Sequence, residues 1–161
     1  MPNEGVFDFS VYQAVFNSGD DDTALNEYWD EHLEVIMPVG PGQIGYVAKN
    51  REEFRAFLAE QHDGVREYMR LQALVQQGEQ IFAEIDMDFV ATEDRPAFGM
   101  GALKRGEFLT VKMFGLYTLR ENRLWKLKLA FWPPNVEVSD PPVHLAGATP
   151  PDYGNVTRAR I

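Results

Sequence analysis

Apolar and polar residues alternate along this chain with two periods, and the change from one to the other falls near Glu67. Before it, the spacing is mostly helical. Phe7, Val11, Ala14 and Val15 predict a first helix, which Asn17-Ser18-Gly19 ends. Asp20, Asp21 and Asp22 supply an N-cap and a negative first turn for a second helix, whose Leu25, Tyr28 and Trp29 face inward. Leu33, Val35 and Met37 alternate with His32, Glu34 and Ile36, the pattern of a strand ending at Met37-Pro38. Asn50 then caps a third helix with Phe54, Phe57 and Leu58 on its buried stripe.

From Glu67 onward the period is two. Met69, Leu71, Ala73 and Val75 alternate with Tyr68, Arg70, Gln72 and Leu74. After Gln77-Gly78-Glu79, the residues Ile81, Ala83, Ile85, Met87 and Phe89 alternate with Glu84, Asp86 and Asp88. A three-residue loop sets Val75 against Ile81, Leu71 against Ile85, Met69 against Met87, Arg70 against Asp86 and Gln72 against Glu84. That register leaves one face apolar and the other polar, with a cross-strand charge pair. A second hairpin over residues 108–132 turns at Glu121-Asn122. It sets Phe114 against Leu129, with Trp125, Leu127, Leu129 and Phe131 on one face and Lys126 and Lys128 on the other.

Two segments lack a period. Residues 93–106 contain Pro96, Gly99, Gly101 and Gly106 and make a long connection, either a binding loop or a plain surface excursion. From Pro133 the chain holds six of its ten prolines. The expected division is an α+β domain over residues 1–132 and an extended Pro-rich tail over 133–161. The tail is expected to follow a surface, closing a pocket mouth or reaching a partner subunit.

Composition narrows the function. A length of 161 residues suits one domain with a single core. The formal charge of -10 disfavours nucleic acid and anionic membrane, both of which need clustered Lys and Arg. The absence of cysteine excludes thiolate nucleophiles, disulfides and Cys-ligated metals, and suits a cytoplasmic location. The first residues carry no secretory pattern, and no apolar run approaches the roughly 20 residues of a membrane span.

Candidate chemistry is sparse. Gly40-Pro41-Gly42-Gln43-Ile44-Gly45 satisfies G-x-G-x-x-G after a strand, but β-like Tyr46-Val47-Ala48 follows where a nucleotide site needs a helix, so a turn is preferred. His32, His62 and His144 have no ligand spacing, and no metal or other cofactor is implied. Asp86 and Asp88 share a strand face and suit acid–base work if buried together. Arg70 and Glu84 on that same face favour a charge ladder instead. Lys112 interrupts an apolar strand, and the hairpin register puts it with Phe114, Leu116 and Phe131 on the apolar side. A single bulge would move it to the other face.

Tyr12, the Asn17-Ser18-Gly19-Asp20 stop and the strand ending Met37-Pro38-Val39-Gly40 carry a resemblance. Over residues 6–132 the chain resembles the nuclear-transport-factor-2-like superfamily, especially its SnoaL-like and ketosteroid-isomerase-like branch. The resemblance implies a cone: a strongly curved, mostly antiparallel sheet packed on three N-terminal helices, in a protein that usually dimerises and binds small apolar molecules. Members include isomerases, dehydratases, epoxide hydrolases and polyketide cyclases. The steroid isomerases' tyrosine corresponds to Tyr12. Their base and second aspartate correspond to Met37 and Phe114, so the standard isomerase mechanism is not expected. The dehydratase aspartate–histidine pair has no counterpart either, because His62 precedes its strand and would have to swing inward.

The expected pocket is lined by Tyr12, Phe16, Trp29, Met37, Phe54, Leu58, Phe114 and Phe131, and suits a polycyclic, aromatic or terpenoid-like ligand. Tyr12 is expected to donate to a carbonyl or oxyanion, with Lys112, Asp86 or Asp88 accepting a proton. The matching reactions are isomerisation, dehydration and cyclisation. The alternative is a non-catalytic ligand-binding or homodimeric interaction module. It draws on the apolar residues on both faces of the strand over residues 108–119.

Overall fold

The computed structural model describes residues 6–136 and 150–160. Helix α1 (Phe9–Ser18) starts where the Asp8 carboxylate accepts from the Ser10 and Val11 backbone N–H groups, and ends at Gly19, whose φ of 80° suits a left-handed cap. Its buried stripe is Phe9, Tyr12, Gln13 and Phe16, while Val11 and Ala14 face solvent. The expected stripe is therefore rotated. The three aromatic rings bury more area than the small aliphatics and set the facing. Asp20 caps α2 (Asp21–Thr23), which widens into a π-helical turn (Ala24–Tyr28). Trp29, expected on that helix, instead opens strand β1 (Trp29–Gly40).

The Gly-rich segment is a turn. Strand β2 (Gln43–Ala48) folds back on β1 through Pro41-Gly42, with φ of 68° at Gly42. Helix α3 (Arg51–Gln61) follows, its Glu53 N–H donating to the Asn50 side chain at 2.8 Å. The remaining strands are β3 (Val65–Gln77), β4 (Gln80–Ala91), β5 (Glu107–Arg120), β6 (Arg123–Phe131) and the short β7 (Thr157–Arg158). They join in the order β2-β1-β6-β5-β4-β3, with β7 pairing β5. The β1–β6 and β5–β7 pairs are parallel and the others antiparallel. This is the expected α+β arrangement, three helices on one face of a mostly antiparallel sheet.

Two bulges correct the expected registers. In the first hairpin Met69 faces Met87, Arg70 faces Asp86 and Leu71 faces Ile85, as expected. Beyond them Gln72 is extra, so Ala73 faces Glu84 and Val75 faces Phe82, and the turn is the two residues Gly78-Glu79. In the second, Glu121 and Asn122 form a two-residue turn with φ of 49° and 60°. Trp125 is extra there, which sets Phe114 against Ala130 rather than Leu129. Trp125 leaves the apolar face expected for it and lies near the cations of Arg120 (4.8 Å) and Lys126 (5.0 Å). Leu124 is buried in its stead.

The sheet thus has an inner face, turned to the helices, and an outer one. Leu109, Val111, Met113, Gly115 and Tyr117 of β5 point inward; Lys112, Phe114 and Leu116 point outward. Of the expected tail, residues 137–149 and 161 lie outside the described residues. Of residues 150–160, Tyr153 packs its ring on the outer face near Tyr68 and Phe108, β7 extends the sheet beside the start of β5, and Ala159 is buried in the core.

Candidate functional site

Between the helices and the inner face lies a cavity of about 70 Å³. Its wall takes Tyr12 and Phe16 from α1, Phe54, Phe57, Leu58 and Gln61 from α3, and Trp29 and Met37 from β1. The sheet adds Glu67, Met69, Ile85, Met87, Phe89, Met113, Tyr117, Leu127 and Leu129, and Met100 enters from the long connection. Every methionine of the chain except Met1 is therefore on this one wall. Thioethers on unbranched side chains fill irregular space and yield readily, so the cavity is adaptable.

Tyr12 is the hub of its aromatic half. The Trp29 indole N–H donates to its hydroxyl at 3.2 Å, and Phe9 and Trp29 stand edge-on to its ring. Complete burial holds the Tyr12 phenol well above its ordinary pKa, with the Glu67 and Asp21 charges adding to the shift against Trp29, so the group stays protonated. Tyr117 is raised likewise, by burial first and then by Tyr12 and Glu67. Gly115 makes room for it: a Cβ there would stand 2.8 Å from the Tyr117 ring and 3.3 Å from Leu127.

Glu67 stands inward on β3, between Val65 and Met69, with its side chain 11% exposed. The His62 Nε2 lies 2.9 Å from its Oε2, and the other ring nitrogen lies 2.7 Å from Asp21 Oδ2. Phe16 packs edge-on to the imidazole. Burial opposes the charged ring, but the hydrogen bonds to Asp21 and Glu67 outweigh it and raise His62 to about 9. An imidazolium thus bridges two carboxylates, one of them on the cavity wall. Among the described residues no His, Asp and Glu cluster is spaced to hold a metal ion.

No family model matches the sequence, and comparison with curated proteins finds no match. Solved structures do match. A proposed polyketide cyclase from Xanthomonas campestris is 19% identical, covering 76% of this chain and 85% of that one, with a TM-score of 0.61. IdmH, a proposed polyketide cyclase from Streptomyces antibioticus, is 17% identical over 76% and 88%, at 0.58. An epoxide hydrolase of the LEH-like kind from Mycobacterium tuberculosis is 10% identical over 76% and 78%, at 0.56. The chain has the nuclear-transport-factor-2-like fold. At these identities the likeness shows the fold alone, and the reaction must be argued from the site.

Within this fold the residues expected to act together are divided by the sheet. Tyr12, Phe16, Trp29, Met37, Phe54 and Leu58 border the cavity. Phe131 packs beside the core without bordering it. Phe114, expected in the pocket, lies on the outer face, stacked with Phe82. Lys112, Asp86 and Asp88, expected as proton acceptors near Tyr12, are on the outer face too. Lys112 Nζ binds Glu84 at 2.7 Å and Asp86 at 2.9 Å, and these two carboxylates raise its pKa against the effect of burial. Asp88, 1% exposed, takes the Arg70 guanidinium at 2.7 and 3.0 Å, the Thr110 hydroxyl at 2.6 Å and the Tyr153 hydroxyl at 2.6 Å. These groups form a charge ladder that fastens the segment over residues 150–160.

Glu67 escaped the sequence reading, and so did its link to His62, whose position before the strand told against it. The signal was a carboxylate at an inward position of a strand, five residues after a histidine at a helix end.

Proposed function

We propose that this protein binds a small, largely apolar carbonyl compound in the methionine- and aromatic-lined cavity and moves a proton on it. The observation that carries the reading is Glu67, the single carboxyl or cationic side chain on the wall, held by His62. Glu67 takes a proton from the carbon beside the ligand carbonyl. The electron pair moves to the carbonyl oxygen, where the Tyr12 hydroxyl donates a hydrogen bond to the oxyanion. Return of the proton to another carbon completes an isomerisation; attack of the enolate on a second carbonyl forms the ring, and the proton held by Glu67 passes to the new alkoxide oxygen. The fold shared with two proposed polyketide cyclases supports the second route.

The free space is about half that of a cavity of roughly 150 Å³ that admits benzene, so any ring-sized ligand must displace side chains. The test is thermal melting with acetophenone, 1-indanone and 2-tetralone. A probe at 100 times its dissociation constant stabilises the native state by about 2.7 kcal/mol and raises the melting point by about 2–6 °C. No shift with any of the three contradicts a ligand site.

A homodimer is proposed on a separate observation. Phe82, Phe114 and Trp132 form an apolar cluster on the outer face, with Phe82 and Trp132 each 40% exposed. Association through this face predicts that Phe82→Glu lowers the sedimentation mass to that of one chain. An unchanged mass removes the outer face as the interface.

A further inference from the structure

The sign of charge around the cavity restricts what can enter it. Of its eighteen lining residues seven are aromatic and five are methionine, and none is lysine or arginine. Glu67 provides the one full charge. The cation that meets Glu67 is His62, but one of its ring nitrogens is engaged by Asp21 and the other by Glu67 itself. No N–H of that imidazolium is left for a ligand, and the cluster sets two carboxylates against one cation.

A ligand carboxylate entering this space would shed its water, find no cation and lie beside Glu67. Burial of an unpaired ion is prohibitive under those conditions. A neutral alcohol or ketone needs only the hydroxyl and amide groups of Tyr12, Tyr117 and Gln61. An ammonium group gains more: aromatic faces attract cations, thioethers are polarizable, and Glu67 supplies the opposite charge.

We propose that the cavity selects neutral or cationic ring compounds and rejects aromatic acids, the selection being set by the Asp21–His62–Glu67 cluster. This rests on the cavity being the ligand site, as above, but not on proton transfer taking place there. An apolar cavity of about 150 Å³ admits benzene, so one ring needs roughly twice the space now free. The five methionine side chains, each with three rotatable bonds, provide it by rotating, and their methyl groups then report the binding.

The experiment uses protein labelled with carbon-13 at the methionine methyl groups, titrated with benzylamine, benzyl alcohol and benzoate, which share one ring. The expected result is saturable movement of the cavity methyl signals with benzylamine and benzyl alcohol, and at least ten-fold weaker binding of benzoate. In Glu67→Gln the advantage of benzylamine over benzyl alcohol disappears. Benzoate binding as tightly as benzyl alcohol overturns the proposal, and so does a lack of response to all three probes at their solubility limits. The three-probe comparison on the unaltered chain stands even if the variant does not fold. Selective binding without proton exchange on any ketone leaves this selection intact and removes the proton-transfer reading instead.

Discussion

His62 Nε2 stands 2.9 Å from Glu67 Oε2, and the opposite edge of the same ring is held by Asp21, so the carboxylate on the cavity wall is fixed by a cation with no further N–H to offer. This geometry has a signature in stability. The folded-state pKa of His62 is about 9, against an ordinary value of 6.5. Its contribution is therefore complete below pH 6.5 and is lost as pH rises through 9. The amount is on the order of 2 kcal/mol once partial exposure is discounted. Urea midpoints measured at about pH 6 and about pH 9.5 should fall accordingly, and His62→Gln should flatten that difference.

Asp88→Ala is expected to cost about 3 kcal/mol, because it strips a buried guanidinium of its closest counter-charge. Asp86, 3.6 Å from Arg70, softens the loss. Chemical denaturation measures the cost. Ligand binding per folded molecule should not change, since Asp88 lies across the sheet from the cavity.

Gly115→Ala places a methyl group 2.8 Å from the Tyr117 ring. The ring has to move into the cavity or the strand has to shift, for about 1–3 kcal/mol of overpacking. Lower stability together with weaker probe binding is the expected pair of results.

Asn17→Ala should loosen α1 from the edge of the sheet. The Asn17 side chain donates to the Met69 carbonyl at 2.9 Å and accepts from the Met69 N–H at 2.7 Å. Gln13 still reaches the carbonyl at 3.1 Å, but the N–H loses its partner, for about 1–3 kcal/mol. Hydrogen exchange at the Met69 amide should accelerate more than at Leu109, deep in β5.

Periodicity revealed the elements, because burial on one face imposes it. Leu33, Val35 and Met37, and the long alternation from Ile81 to Phe89, face inward as their spacing predicts. The bulges at Gln72 and Trp125 were not legible. Where a strand carries an extra residue is fixed by the pairing and twist of two strands, not by the composition of one. The second bulge also decided the candidate site. Lys112 and Phe114 keep the same parity as each other, but the parity of β6 changes beyond Trp125, so matching Phe114 to Leu129 and Phe131 assigned both residues to the wrong face. Tyr12 was legible only through the resemblance to the steroid isomerases, since the apolar spacing of α1 pointed to Val11 and Ala14, which face solvent. The Asp21–His62–Glu67 cluster joins two helix ends to a strand across 41 and 5 positions, a separation to which neither helical nor strand spacing corresponds.

If Glu67 takes a proton from a bound ligand, the protein must speed deuterium incorporation at the carbon beside that ligand's carbonyl. The carbon beside the carbonyl of 2-tetralone is followed by proton NMR in heavy water, with the unaltered protein and with Glu67→Gln. General base catalysis contributes about 10²–10⁴-fold. Base catalysis by Glu67 predicts saturable acceleration by the unaltered protein and a loss of that order per folded molecule in the variant, which should also melt lower because His62 loses one of its two carboxylate partners. Exchange that is no faster than in buffer, or equally fast in Glu67→Gln, would contradict it.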